Sequence, residues 1–153
     1  MNTAAESSEQ QRRKDDEQLK LLAVFHFVLA GLSLLMLGFL ALHYFFMSTI
    51  FTNPEIWENA QSKGGGPPPE FIKSLFAVMV WFYIFGACFA VAIGMLNIFS
   101  GVFLRRKKYR TFSLIVAGVN CLRLPFGTAL GVFSLVVLMR ESVQLAYERE
   151  AEK

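Results

Sequence analysis

Two runs of this sequence contain no Asp, Glu, Lys or Arg: Leu21–Phe46, 26 residues, and Ser74–Leu104, 31 residues. About 20 apolar residues in helical conformation cross a hydrocarbon core of roughly 30 Å, so each run is long enough with some tilt. A bilayer admits only helices or closed barrels, because backbone polar groups find no water there. No alternating strand pattern occurs, so the sequence predicts an all-α, integral membrane helical bundle. The first run is longer than the apolar part of a cleavable signal and is expected to stay as an anchor.

Residues 111–139 form a third apolar stretch, interrupted once by Arg123-Leu124-Pro125-Phe126-Gly127-Thr128. Arginine is costly in hydrocarbon, proline cannot continue a preceding helix, and glycine weakens one. The uncharged parts, Thr111–Leu122 and Leu124–Met139, would be helices of roughly 18 and 24 Å, each short for a full span. Pro125 and Gly127 so close together mark a turn. The expectation is therefore two long spans plus a C-terminal hairpin of two shorter helices. A single kinked helix and a re-entrant loop are the other readings of 111–139.

Charge placement sets the expected topology. Four bases lie in the polar tail 1–20 and five in Arg105-Arg106-Lys107-Lys108-Tyr109-Arg110, against Lys63 and Lys73 in the connection 47–73. By the positive-inside rule both basic segments and both termini should be cytoplasmic, and the connection should face outward. The expected organisation is a polar cytoplasmic tail (1–20), a four-helix membrane domain (21–140; outer loop 47–73, basic cytoplasmic link 105–110) and a second cytoplasmic tail (141–153). Charge pairs at helical spacing extend the first span into water as helix, with the first few residues disordered. In the connection, Asn53-Pro54-Glu55 reads as a helix start running to about Gln61. The run Gly64-Gly65-Gly66-Pro67-Pro68-Pro69 should break regular structure and stiffen into an extended segment.

Small residues mark helix-packing stripes: Gly86, Ala90, Gly94 and Gly101 in the second span, and Gly127 and Gly131 after the turn. Ser113, Ala117 and Cys121 repeat the spacing before it. Arg123 is the sharpest single residue, because no acid occurs in any apolar run. Glu55, Glu58 and Glu70 of the outer connection are its nearest candidate partners by topology. Arg123 and Thr128 make a candidate anion or lipid-phosphate site where the next helix begins. Arg105, Arg106, Lys107, Lys108 and Arg110 are candidate contacts for lipid headgroups. His26 and His43 are 17 residues apart, too far for one metal, and are read as interfacial. Asn97 and Asn120 can hydrogen-bond across helices. Cys88 and Cys121 read as packing residues rather than a disulfide.

Residues 94–138 resemble small bacterial multi-pass membrane proteins of unassigned activity. Those carry a glycine-bearing span, a basic link with an aromatic, a short apolar segment and a Pro-x-Gly-Thr-x-Leu-Gly turn followed by Leu and Val. The matching residues are Gly101, the basic link with Tyr109, Pro125-Phe126-Gly127-Thr128-Ala129-Leu130-Gly131, and Leu135–Leu138. The resemblance implies a four-helix protein of the bacterial inner membrane.

The leading functional expectation is a non-enzymatic accessory or structural subunit, since no catalytic set, metal cluster or cofactor motif is visible. The alternative is a small oligomeric transporter or channel, open to an anion because of Arg123. Expected partners are membrane lipids and a second copy or a membrane partner protein, with no nucleic acid, because the bases sit beside spans.

Overall fold

The structure is a computed structural model; it describes residues 2–65 and 69–152. It is all-helical, with α1 (Asn2–Thr52), α2 (Pro54–Ser62), α3 (Pro69–Arg106), α4 (Arg110–Cys121), α5 (Phe126–Leu138) and α6 (Glu141–Ala151). Two helices, α1 and α3, are long and apolar enough to cross a membrane.

The six helices of the described residues are the four expected of the membrane domain, the short helix expected in the connection, and α6 in place of a C-terminal tail. The N-terminal tail belongs to α1, which runs unbroken from Asn2, so the expected disorder is not found beyond Met1, which lies outside the described residues. The C-terminal tail forms α6, which buries Val143 and Tyr147 one turn apart. In the connection, α2 starts as its sequence predicts. Asn53 is the N-cap, its side chain accepts the Glu55 N–H at 3.1 Å, and Pro54 takes the first position. Of the glycine–proline run, Gly64 and Gly65 follow α2 without regular structure and Pro69 begins α3, while residues 66–68 lie outside those described.

The chain divides into two compact units, Met1–Gly31 with Gly94–Lys153, and Leu32–Ile93. In the first, each helix buries one stripe at the helical period: Leu19, Leu22, Ala23 and His26 on α1; Asn97, Ser100, Gly101 and Leu104 on α3; Ser113, Val116, Ala117 and Asn120 on α4; Gly127, Leu130, Gly131, Ser134 and Val137 on α5. Such stripes are what a bundle requires of its members. In the second unit, α1, α2 and α3 meet through aromatic rings. Phe51 stacks on Phe76 at 5.5 Å, and Tyr44 meets Tyr83 edge-on at 5.4 Å.

The basic link closes α3 with a Schellman pattern, Lys108 N–H to Phe103 O at 3.1 Å and Lys107 N–H to Leu104 O at 3.4 Å. Lys107 occupies the left-handed position (φ 50°) that glycine usually takes, and Tyr109 (φ 52°) repeats it. A side chain there costs roughly 1–2 kcal/mol. The Lys107–Asp16 ion pair at 2.6 Å and the packing of Tyr109 on Phe103 offset that cost.

Candidate functional site

The α4–α5 hairpin is built by a four-residue turn, 122–125, and by two glycines that let the helices touch. A Cβ on Gly127 would lie 2.6 Å from the Asn120 carbonyl, and one on Gly131 would lie 2.5 Å from the Ala117 carbonyl. The Thr128 hydroxyl donates to the Cys121 carbonyl at 2.8 Å, and the Thr128 N–H donates to the Arg123 carbonyl at 3.1 Å. Thr128 thus ties the end of α4 to the start of α5, and both its donors are used in the turn. Arg123 is half-buried, with its Cβ against Gly127. The residues around it are apolar and outward-facing: Leu122 and Leu124 are more than 80% exposed and Phe126 is 72% exposed. At the other end, the Arg110 Nε donates to the Leu138 carbonyl at 2.9 Å, so the two helices run antiparallel along their whole length.

Asn97 and Asn120 form a reciprocal amide pair between α3 and α4. Asn120 Nδ2 donates to Asn97 Oδ1 at 2.8 Å, and Asn97 Nδ2 donates back to Asn120 Oδ1 at 3.3 Å. Both are fully buried. On the stripes that carry the pair, Ser100 and Ser113 are also buried, as are Ser134 on α5 and His26 on α1. The three serine hydroxyls and His26 Nε2 have no hydrogen-bond partner among the described residues. The His26 Nδ1–H donates to the Leu22 carbonyl at 2.9 Å. His26 is therefore interior, not interfacial as its place near one end of the apolar run suggested. His43 is half-buried and bonds the Tyr83 hydroxyl at 2.5 Å.

The five bases of the link divide by role. Arg105, Arg106 and Lys108 are exposed, and Arg105 lies over the Phe27 ring at 5.7 Å. Lys107 and Arg110 are half-buried and tie helices together, through Asp16 and the Leu138 carbonyl. Of the small residues on α3, Gly101 permits a close approach, its added Cβ lying 3.0 Å from the Phe27 ring. Gly86 does not, since its nearest neighbour would be Leu40 Cδ1 at an ordinary 3.5 Å. Ala90 and Gly94 are half-buried.

Sequence reasoning missed Asp15. It is 2% exposed, accepts from Gln11 at 3.1 Å, and faces the Arg140 guanidinium at 3.8 Å. Arg140 also donates to Gln18 at 2.8 Å, fixing α6 to the first part of α1. The signal was present: Asp15, Leu19, Leu22 and His26 continue one helical stripe out of the apolar run. Removing the cation leaves a buried carboxylate without it, while partial exposure of Arg140 lets water screen the loss. Arg140→Ala is expected to cost about 2 kcal/mol, seen as a lower Tm in detergent, with Arg140→Lys recovering part.

Tyr147 of α6 is 7% exposed, and its hydroxyl has no hydrogen-bond partner among the described residues. Burial pushes its pKa up to about 12 from 10, while Arg110 opposes the rise. The folded chain therefore keeps a proton that the unfolded chain releases between those values. Stability should be complete below pH 10 and fall as pH rises towards 12. Tyr147→Phe should flatten that alkaline loss and raise stability at neutral pH by about 1 kcal/mol, because it removes an unpaired hydroxyl.

Among the described residues no group of three or more His, Cys, Asp or Glu could hold a metal ion. Compared with known proteins, the chain matches no family model, no curated protein and no solved structure.

Proposed function

We propose that this chain is a multi-pass protein of the bacterial inner membrane, with both termini cytoplasmic, acting as a non-enzymatic accessory or structural subunit. The observation that carries the reading is the outward-facing apolar surface. Trp81, Phe82, Phe85, Phe45 and Leu35 are each about 70% exposed, and only 6% of the apolar window of α3 is buried within the chain. A surface so apolar belongs in lipid or against other membrane helices.

In this reading α4 and α5 are re-entrant. They have 12 and 13 residues, about 18 and 20 Å, and neither crosses a core of about 30 Å. Asn120 is bonded to Asn97, seven residues from the cytoplasmic end of the apolar run at Leu104. The turn begins half a helical turn beyond Asn120, which puts it about 15 Å deep, near the middle of the bilayer. The apolar tip residues Leu122, Leu124 and Phe126 suit that depth, whereas Arg123 is costly there and is half-buried within the chain. This depth differs from the sequence expectation of a tip at the outer interface, where Arg123 would pair with outer-loop acids.

A second reading, a small oligomeric transporter or channel that could pass an anion, is favoured by the buried hydroxyls of Ser100, Ser113 and Ser134. Unpaired donors in a bundle interior can serve a permeating ion or water. The two are separated by purification and flux. Retention of a stoichiometric membrane partner through affinity purification, with no selective leak from reconstituted vesicles, supports the subunit. An anion-selective leak that Ser113→Ala abolishes would replace it with the channel.

A further inference from the structure

On one face of the second unit lie two cavities in line. The first, about 500 Å³, is lined by Phe51, Trp57, Glu58, Ile72, Lys73 and Phe76, among others. The second, about 330 Å³, is lined by Leu37, Leu40, Ala41, Tyr44, Val80, Tyr83, Ile84 and Ala87. The lining residues follow the helical period on both long helices: Phe76, Val80, Tyr83 and Ala87 on α3, and Phe51, Tyr44, Ala41 and Leu37 on α1. The cavities therefore sit at successive levels of the α1–α3 seam, with Phe76 of the first level stacked on Tyr44 of the second.

Their chemistry differs. The second is lined only by apolar groups, tyrosine rings and small residues. In the first, the neutral polar groups that can be traced are already used. The Trp57 Nε1–H donates to the Ile50 carbonyl at 3.1 Å, the Thr52 hydroxyl donates to the Ser48 carbonyl at 2.7 Å, and Asn53 caps α2. What it offers a ligand is one carboxylate (Glu58), one ammonium (Lys73) and aromatic faces, of which Phe51 and Trp57 lie 5.9 Å apart. Both charged side chains are exposed.

We propose that this groove binds one zwitterionic phospholipid. Its alkylammonium lies against Glu58 and the Trp57 face, its phosphate against Lys73, and an acyl chain runs along the second cavity. Carboxylate and aromatic face both attract an ammonium, and Lys73 is a point charge suited to phosphate. An anionic lipid would satisfy Lys73 but meet repulsion at Glu58. The inference rests on the membrane reading.

The test is native mass spectrometry of the full chain released from nanodiscs made of phosphatidylethanolamine and phosphatidylglycerol with identical acyl chains. The expected result is one retained lipid, favouring phosphatidylethanolamine by about tenfold. Glu58→Gln with Lys73→Gln should erase that preference, and Ala87→Phe, which fills the apolar cavity, should lower retention of either lipid. Equal retention of the two lipids by the wild type, or an unchanged preference in the charge variant, overturns the proposal. So does displacement of the lipid by soluble glycerophosphoethanolamine at equal concentration, which would make the ligand a free zwitterion. Extraction of the chain from membranes by alkaline carbonate sinks the membrane reading instead. A carbonate-resistant protein without lipid preference leaves that reading standing and defeats only the site.

Discussion

Gly131→Ala is expected to unfold or rearrange the α4–α5 hairpin, although it adds a single methyl group. That methyl would lie 2.5 Å from the Ala117 carbonyl, 2.6 Å from Cys121 Sγ and 2.8 Å from the Cys121 amide nitrogen. Two of these atoms are backbone, so no rotamer change relieves the clash, and the helices must separate. Overpacking of this kind costs about 3 kcal/mol or more where backbone has to move. Gly118→Ala is the matched control. It adds the same atom to the same hairpin, but nothing lies within 4 Å of the new Cβ. Replacing a mid-helix glycine there should be neutral or stabilising by up to about 1 kcal/mol. Melting temperature in detergent distinguishes the two. Equal effects at 118 and 131 would mean that α4 and α5 are not in close contact.

The second large effect is expected at Asn97 and Asn120. The two amides bond each other reciprocally in a fully buried place, so either single change to Leu takes both of those bonds from the remaining amide. The expected loss is about 1–3 kcal/mol for Asn97→Leu or Asn120→Leu alone. The double variant should recover much of it, because two leucines leave no orphaned amide. A thermodynamic cycle should return a coupling of about 1–2 kcal/mol, the upper part of the range for side-chain bonds between membrane helices. Additive single effects would contradict the pair.

Local signals in this chain were legible because their physics is local. Asn53-Pro54-Glu55 begins α2 through a side chain reaching its own backbone. The break at 122–125 separates α4 from α5 because Pro125 acts on the chain where it stands, whereas Gly127 lies inside α5 and serves the contact with α4. The long apolar runs gave α1 and α3 for the same reason. Interior placement was harder. Gly86 and Gly131 look alike in a spacing argument, yet only Gly131 meets a neighbouring backbone, since close approach depends on which helix lies opposite. Asp15 lay in a stretch read as solvated because its neighbours are charged. Its burial depends on Arg140, 125 residues later, which no local pattern links to it. His26 was assigned to the interface from its place near the end of an apolar run. The chain instead continues the same buried stripe outward through Leu22 and Leu19, so that stretch is bundle interior. α6 was missed because its apolar face comes down to Val143 and Tyr147, two residues in a charged segment.

The central claim is that a re-entrant hairpin enters and leaves on the cytoplasmic side between two full spans. Thiol labelling tests it most directly, in a chain whose Cys88 and Cys121 are replaced by Ala. Single cysteines are introduced as Lys63→Cys, Leu124→Cys and Leu145→Cys, and intact cells are treated with a membrane-impermeant maleimide. The account predicts labelling of residue 63 from outside, of residue 145 only after the membrane is opened, and of residue 124 in neither case. Labelling of residue 145 in intact cells, or of residue 124 from outside, would contradict it.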